Sequence, residues 1–294
     1  MNSPARQSTG VADLDHRLGG GLVPGTLTVV VGATGIGKTQ LALHFAHAGH
    51  EQEGRRGIVF DMSARGDPQG HTEYARRMFD WTLTPVEPHR GLELDAFYDS
   101  PSDRGGYLHM FDYQGRRVTR RDLDFDQWQD WQAQLNTRLT ASIAFFYGNF
   151  VHGVRRVVVD GIEPVDRPSE SIQLNLFEYV YHQILRKDPQ WVARDLFREK
   201  YRQNVEAAAR SQYDPGRIGC MLLATSHESM LDELISRPLD EGDLLSTANT
   251  LIYLGKIRDG DRISRGLYVA KHRGSACTDQ IVPFHINESG IQLD

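Results

Sequence analysis

The sequence predicts an α/β domain with a mostly parallel central sheet flanked by helices and a β-rich C-terminal tail. Strand-like and helix-like segments alternate along most of the chain, the pattern of strands joined by crossover helices. The strand-like segments are short unbroken apolar runs, such as residues 26–31 (TLTVVV), and such runs are typical of strands covered on both faces. Roughly the last fifty residues lose the helical pattern and are predicted to form β segments.

The individual elements are predicted from local patterns in chain order. A strand over 26–31 enters a Gly-rich turn, and a helix over 40–47 leaves it. The next elements are a strand over 57–60, a helix over 74–79, a strand over 108–113 that ends near a turn at 114–115, a long helix over 125–150, and strands over 156–159 and 219–224. The tail has β segments over 251–257, 262–270, 280–286 and 291–293, and Asp259-Gly260 joins the first two as a hairpin.

The composition limits the class of protein. Hydrophobic residues make up 39% of the 294 residues, which is enough for a sizeable core. The chain has 33 Lys and Arg against 39 Asp and Glu, a net charge of -6, and this argues against a protein whose whole surface binds nucleic acid. Two cysteines, Cys220 and Cys277, make no disulfide framework, so we expect a cytoplasmic protein. The apolar runs are far shorter than the ~20 residues of a membrane helix, so we expect no membrane segment.

The chain length is compatible with a single large domain, and we expect one domain over residues 1–294 with two insertions. Residues 81–106 are rich in Pro and Asp and have weak periodicity, which predicts a surface loop. Residues 169–216 form a long helical segment of mixed charge, broken near Pro189.

A phosphate-binding loop lies between the first strand and the first helix. Residues 32–39 (GATGIGKT) match G-x-x-x-x-G-K-[ST] at every fixed position. The glycines let the backbone wrap around phosphates, and the helix start adds unpaired N–H groups. In this pattern Lys38 reaches the β- and γ-phosphates, and we expect its side chain to face solvent in the empty loop. The predicted cofactors are ATP and Mg²⁺, with nucleotide-binding residues Thr34, Gly35, Ile36, Gly37, Lys38, Thr39 and Gln40.

A second motif supplies a carboxylate for the metal ion. Residues 157–160 (VVVD) end a buried strand in Asp160, and a carboxylate there is costly unless it holds hydrogen bonds or a metal-bound water. The hydroxyl of Thr39 and the carboxylate of Asp160 are therefore the predicted Mg²⁺ ligands.

Sequence on both sides of these motifs resembles RecA-like P-loop ATPases of the KaiC type. Residues 8–15 (STGVADLD), 18–22 (LGGGL) and 24–25 (PG) are similar to the entry segment of that group. Residues 269–275 (VAKHRGS), 283–286 (PFHI) and 290–291 (GI) are similar to its tail. The resemblance covers roughly half of the chain. It implies a RecA-like P-loop NTPase fold with ATP sites at subunit boundaries, in a ring or filament.

The resemblance also implies roles for individual residues. The tail motif K-x-R, here Lys271 and Arg273, would reach the nucleotide of a neighbouring subunit like an arginine finger in trans; the ordinary alternative is a solvated basic strand end. The Glu-Glu pair that follows the second strand in this group is replaced by Asp61 and Met62, so Asp61 is the predicted catalytic carboxylate, on a shorter side chain. Ser226 or His227 is predicted to sense the γ-phosphate.

Three functions follow as hypotheses. The first is an ATPase that forms a homo-oligomer and in which nucleotide state regulates assembly or a protein partner. The second is a repair-type ATPase that binds single-stranded DNA, because basic and aromatic residues interleave over 186–210; acidic residues dilute that segment, and the stretch after Ser226 is acidic as well. The third is an ATP-binding scaffold with little or no turnover.

Overall fold

The computed structural model describes residues 5–63, 68–86, 97–98, 105–111, 124–164, 171–237, 247–275 and 279–294. In this part of the chain the strands are β1 (Leu27–Gly32), β2 (Ile58–Asp61), β3 (Pro85–Val86), β4 (Tyr107–His109), β5 (Arg156–Ile162), β6 (Gly219–Thr225), β7 (Thr250–Asp259), β8 (Arg262–His272), β9 (Val282–Asn287) and β10 (Gly290–Leu293). The α-helices are α1 (Ala12–Arg17), α2 (Lys38–Glu53), α3 (Pro68–Phe79), α4 (Phe125–Val151), α5 (Ile172–Val180), α6 (Pro189–Phe197), α7 (Tyr201–Arg210) and α8 (Leu231–Ser236).

All of these strands join one sheet in the order β10-β9-β8-β7-β1-β6-β5-β2-β4-β3. Every pair from β7 to β3 in this order is parallel, and the pairs formed by β8, β9 and β10 are antiparallel. The predicted α/β fold with a mostly parallel sheet and a β-rich tail is confirmed, and the tail continues the sheet beyond β7. The hairpin predicted at Asp259-Gly260 joins β7 to β8.

Both faces of the sheet are covered, as the unbroken apolar strands predict. Val29 and Val31 of β1 pack on the face that carries α4, α5 and α6, whereas Val30 packs on the face that carries α1 and α2. This alternation follows from the two-residue period of a strand. Because the parallel strands run in the same direction, their carboxyl ends lie together along one edge of the sheet, between the two helical layers.

The segment over 81–106 is more deeply packed than predicted. Trp81, Leu83 and Phe97 are buried, and Pro85–Val86 adds an edge strand to the sheet. The prediction of a surface loop is wrong for these described residues, because their large apolar side chains fill the core. Residues 87–96 and 99–104 lie outside the described part of the chain.

One predicted strand has different ends in the structure, and some predicted features lie outside the described residues. The strand predicted over 108–113 ends at His109, and residues 112–113 and the turn at 114–115 are outside the described residues. Cys277 is outside them as well, whereas Cys220 is buried in β6. Within the described residues, no helix is both long enough and apolar enough to cross a membrane.

Helices α5, α6 and α7 occupy the segment predicted as a second insertion. They are amphipathic, and their apolar side chains pack over the sheet: Phe177, Leu196 and Phe197 are buried. This packing accounts for most of the aromatic residues between 171 and 216. Trp191 is an exception, since the residue is 53% exposed.

Arg156 ties the phosphate-loop helix to the sheet. The side chain is fully buried and stacks over Phe45 at 4.9 Å. Its Nε donates to Glu53 (2.8 Å), and its terminal nitrogens donate to Glu53, to Gln52 and to the carbonyl oxygens of Ser8 and Phe45. A buried guanidinium is tolerated when its donors are satisfied in this way. The contacts fix the C-terminal half of α2 and hence the direction of its N-terminus.

Candidate nucleotide-binding site

The loop between β1 and α2 has the backbone of an anion cradle. Gly35 and Gly37 have φ of 76° and 121°, a region that residues with a Cβ rarely adopt. At Gly37 a Cβ would also come within 3.0 Å of Ile286 in the tail. No side chain caps the start of α2, so its first amides are left for an external acceptor. Such amides, together with the positive end of the helix dipole, favour a phosphate group at this place.

Lys38 lies inside this loop and is turned towards its backbone. The Nζ donates to the carbonyl oxygens of Gly32 (2.8 Å) and Ala33 (3.0 Å), and the residue is only 7% exposed. The prediction of a solvent-facing Lys38 is therefore wrong, because the ammonium is buried and takes carbonyl acceptors in its own loop. Burial lowers the pKa of Lys38 to about 8, although the nearby charge of Asp160 opposes that shift.

Thr39 and Asp160 meet as the two motifs predict, and His71 joins them. The hydroxyl of Thr39 donates to Asp160 Oδ2 at 3.0 Å, and Nε2 of His71 in α3 lies 2.9 Å from the same oxygen. Burial alone would raise the pKa of Asp160, but the contacts with His71 and Thr39 and the charge of Lys38 outweigh burial and hold it below its usual value. Asp160 is thus kept as a carboxylate directly beside the phosphate loop.

The donor set at Thr39 and Asp160 fits a hard cation. One hydroxyl oxygen and one carboxylate oxygen are the ligand types that Mg²⁺ takes from a protein, with the rest of its shell from water and phosphate. Among the residues described, no three His, Cys, Asp or Glu side chains are grouped so that they could hold a metal by themselves.

Asp61 lies in the neighbouring strand, in register with Asp160, and it is fully buried. Its Oδ2 accepts a hydrogen bond from the hydroxyl of Tyr107 at 2.5 Å, and its Oδ1 accepts one from the backbone N–H of Ser63 at 2.8 Å. Both oxygens therefore have donors, and no surface of the carboxylate is open to a water molecule in this arrangement. The contacts give Asp61 a structural role, while its role in activating water stays a prediction.

Tyr107→Phe should lower the free energy of unfolding by about 1–3 kcal/mol, because it removes a donor from the buried carboxylate of Asp61. Tyr74→Phe is a matched control, since the Tyr74 ring is stacked by Arg77 and its hydroxyl makes no hydrogen bond within the described structure. The measurement is denaturant unfolding of both variants. Equal stability of the two would contradict the structural role of this contact.

A role of Asp61 in activating water and a purely structural role predict different effects for Asp61→Asn. A carboxylate that activates water would lose about 10²-fold in ATP turnover when replaced by an amide, with ATP still bound. A carboxylate that only holds Tyr107 and Ser63 would change stability and leave turnover nearly unchanged. Phosphate release and denaturant unfolding, measured on one preparation, separate the two.

Ser226 and His227 follow β6, next to the phosphate loop. The backbone N–H of Ser226 donates to the carbonyl of Gly32 at 3.1 Å, so the end of β6 is joined directly to the start of the loop. Ser226 is buried and its hydroxyl bonds to Glu228, whose pKa that bond lowers, whereas His227 is exposed. This contact places the backbone of Ser226 directly beside the phosphate loop, which the sequence alone does not indicate.

Lys271 and Arg273 are at the opposite edge of the sheet from the phosphate loop. The N–H of Arg273 donates to the carbonyl of Asn249, whose own N–H donates to the carbonyl of Leu27 at the start of β1. The phosphate loop begins after Gly32, so five residues of strand, about 16 Å, separate the two levels. The backbone of both cations therefore lies at the amino ends of the parallel strands, about 16 Å of strand from the loop of their own chain. They are also close to each other: burial lowers the pKa of Lys271, and the charge of Arg273 adds to that shift.

His272, between these two cations, anchors the edge to the N-terminal segment. Its Nδ1 pairs with the hydroxyl of Thr250 at 2.8 Å, and its Nε2 lies 3.1 Å from the carbonyl of Leu18. Arg6 donates to the carbonyl of Gly274 at 2.6 Å. The entry segment and the tail, which are far apart in sequence, thus form one unit that holds Lys271 and Arg273 in place.

The basic and aromatic segment over 186–210 leaves one exposed patch. The guanidinium of Arg194 lies between the rings of Trp191 (5.0 Å) and Tyr201 (5.2 Å). Arg194 therefore covers one face of the Trp191 ring and one face of the Tyr201 ring.

The acidic residues Asp232 and Glu233 lie in the first turn of α8, and the acidic positions 240, 241 and 243 are outside the described residues.

Known proteins share the sequence pattern and the fold of this chain. A model of the KaiC ATPase family matches residues 7–181, more than half of the chain, and this stretch contains the phosphate loop, Asp61 and Asp160. The chain belongs to the KaiC ATPase family. The RecA-like fold of this family is also that of a solved KaiC-like protein from Pyrococcus horikoshii OT3, with a TM-score of 0.51 and 16% identity over 98% of both chains. At that identity the likeness shows the fold alone.

Curated relatives of this KaiC-family chain match shorter stretches. The circadian clock oscillator protein KaiC of Rippkaea orientalis is 33% identical over 109 residues, 37% of this chain and 20% of that protein. The DNA repair protein RadA of Mycobacterium tuberculosis is 48% identical over 50 residues, 17% of this chain and 10% of RadA. The chain thus spans one fifth or less of the curated relatives it matches.

Proposed function

We propose that this KaiC-family protein binds Mg·ATP and hydrolyses it slowly, at sites formed between copies of the chain in a ring or filament. One observation carries the proposal: the phosphate loop with Thr39 and Asp160 lies at one edge of the sheet, while Lys271 and Arg273 lie at the other. A head-to-tail contact between copies brings two such edges together, and repeating that contact builds a ring or a filament.

Within one chain the binding residues have distinct tasks. Backbone amides from Thr34 to Gln40 hold the phosphates, and the ammonium of Lys38 exchanges its bonds with the Gly32 and Ala33 carbonyls for bonds to phosphate oxygens. Thr39 and Asp160 would hold Mg²⁺, which supplies charge neutralisation at the phosphates when bound. His71 holds the Asp160 carboxylate in place, as outer-shell partners of metal ligands do.

Turnover depends on groups that act on the γ-phosphate and on the attacking water. We propose Ser226 or His227 as the polar contact to the γ-phosphate, since Ser226 is bonded to the loop itself. Asp61 remains the proposed carboxylate for the water, and its burial behind Tyr107 is a reason to expect slow hydrolysis. Without movement of Asp61 the protein would act as an ATP-binding scaffold, which is the third function that the sequence allows.

Lys271 and Arg273 complete the site from a neighbouring copy. Their level in the sheet, about 16 Å of strand from the loop of their own chain, supports a role at a neighbour's nucleotide, and two adjacent cations are suited to the charge of a γ-phosphate in the transition state. Nucleotide state would then govern assembly, because each ATP links two copies. We also propose that a protein partner binds the assembled form.

A second candidate function is ATP-dependent binding of single-stranded DNA. It is favoured by the exposed indole of Trp191 beside Arg194 and Tyr201, since aromatic and basic groups together bind unpaired bases. The net charge of -6 and the acidic first turn of α8 argue against it. An ATPase rate that rises when single-stranded DNA is added would favour this second function.

One experiment tests the main proposal. Light scattering with and without Mg·ATP gives the size of the particle, and phosphate release is assayed on the same sample. We expect assembly that depends on Mg·ATP together with measurable phosphate release. Tight ATP binding without phosphate release would favour the scaffold, and a monomer with full activity would contradict the shared site.

A further inference from the structure

A second cleft lies at the edge of the sheet opposite the phosphate loop. It has a volume of about 580 Å³ and is bordered by the residues that precede β2, β4 and β5, including Gly57, Gly106 and Val154. These residues stand at the amino ends of parallel strands, whereas the nucleotide site stands at the carboxyl ends. The cleft is therefore separate from the nucleotide site, and its volume is in the range of small-molecule sites.

The polar groups of this cleft are mainly cationic. Arg55, Arg56, His50 and His152 line it, and none of the described lining residues is Asp or Glu. Neither guanidinium makes an ion pair or a side-chain hydrogen bond to the residues that the structure describes. Two neighbouring arginines without carboxylate partners repel each other, and a bound anion relieves that repulsion.

Arg56 lines the cleft with its guanidinium packed against an aromatic ring. Its guanidinium lies 5.7 Å above the ring of the buried Trp81, and its Nε is covered and has no hydrogen-bond partner. The ring fixes the guanidinium, and its terminal nitrogens are the donors that a ligand in the cleft can reach. This is the feature of the cleft that ordinary surface arginines lack.

We propose that this cleft binds a small phosphate-bearing molecule through Arg55 and Arg56. A phosphate offers three or more acceptor oxygens and up to two charges, so it can engage both guanidinium groups at once, and a guanidinium matches it with two parallel N–H donors. The exposed hydroxyls of Thr82 and Thr84, also on the lining, add donors for further oxygens. The amide of Asn149 does not contribute donors, because it already donates to the carbonyls of Gly105 and Phe145.

Trp81 makes the test local, because its ring lies directly beneath Arg56. Inorganic pyrophosphate is titrated into the full-length protein and into its Lys38→Ala variant, with tryptophan fluorescence as the signal. We expect a saturable change that Lys38→Ala retains and Trp81→Phe removes. Loss of charge-assisted hydrogen bonds should make Arg56→Gln bind about tenfold more weakly or worse, and Arg55→Gln should do the same. Arg202→Gln, an exposed arginine on α7, is the control and should bind normally.

Three results would overturn the proposal. The first is the absence of a saturable fluorescence change in the full-length protein. The second is loss of that change in Lys38→Ala, which would assign the signal to the phosphate loop. The third is wild-type affinity for pyrophosphate in both Arg55→Gln and Arg56→Gln. Circular dichroism of each variant shows whether it is folded. Where Arg56→Gln is not folded, the Arg55→Gln result decides.

Discussion

Lys38→Ala should abolish detectable ATP binding while leaving the fold intact. The ammonium of Lys38 lies inside the phosphate loop and needs only to exchange two carbonyl acceptors for phosphate oxygens. Its loss removes the cationic side chain inside the loop, so the loop itself holds the phosphates with backbone amides only. The fold should survive, because the carbonyl of Gly32 keeps its hydrogen bond from Ser226. Lys256→Ala, an exposed lysine on β7, is the matched control.

Titration with a fluorescent ATP analogue and thermal unfolding of the same samples measure this prediction. Wild-type nucleotide affinity in Lys38→Ala would refute the assignment of the loop. A loss of affinity in Lys256→Ala as well would point to a general effect of removing a positive charge.

The pKa of Lys38 adds a dependence on pH. Burial lowers it to about 8, so the side chain is charged below that pH and becomes neutral above it. The charged form binds phosphate, and ATP affinity should therefore fall as pH rises through about 8. Affinity that stays constant between about pH 7 and pH 9 would contradict this.

Much of the fold follows from the sequence because its signals are local. The unbroken apolar strands β1, β5 and β6 predict a sheet covered on both faces, and Asp259-Gly260 predicts the hairpin. The segment around Trp81 is different, since composition alone indicates a loop there. Its burial depends on a sheet edge that only the assembled fold provides, which no short-range pattern contains.

The candidate site likewise contains residues that the sequence predicts and residues that it does not. Lys38, Thr39 and Asp160 belong to motifs whose spacing encodes their task, and the structure brings Thr39 and Asp160 together. His71 and Tyr107 are missing from the sequence prediction because no motif includes them. Each contacts a carboxylate in a different element, so its role is visible only in three dimensions. One signal was available: buried carboxylates at strand ends need donors, and His71 and Tyr107 lie in the elements next to them.

Arg273→Ala should cripple ATP turnover and Mg·ATP-dependent assembly together. Removal of an arginine finger costs about 10³–10⁵-fold in rate where one operates, and a site with a second cation, Lys271, and a covered Asp61 can lose less. ATP should still bind, because the phosphate loop and Lys38 are unchanged. Arg265→Ala removes an exposed arginine from β8, the strand that Arg273 follows, and is the control. Phosphate release and light scattering are the measurements.

Mixing Arg273→Ala with Lys38→Ala protein tests whether the site is shared. Each variant alone lacks one half of every site. In a mixed assembly, a loop from an Arg273→Ala chain can face the Lys271/Arg273 edge of a Lys38→Ala chain, and that interface has both halves. Random mixing in equal amounts gives both halves at about a quarter of head-to-tail interfaces, so we expect up to that share of wild-type activity to return. If the two proteins assemble together and no activity returns, the cations act within their own chain or not at all, and the shared site is wrong. The geometry argues against action within one chain, because about 16 Å of strand separates Arg273 from the level of its own phosphate loop.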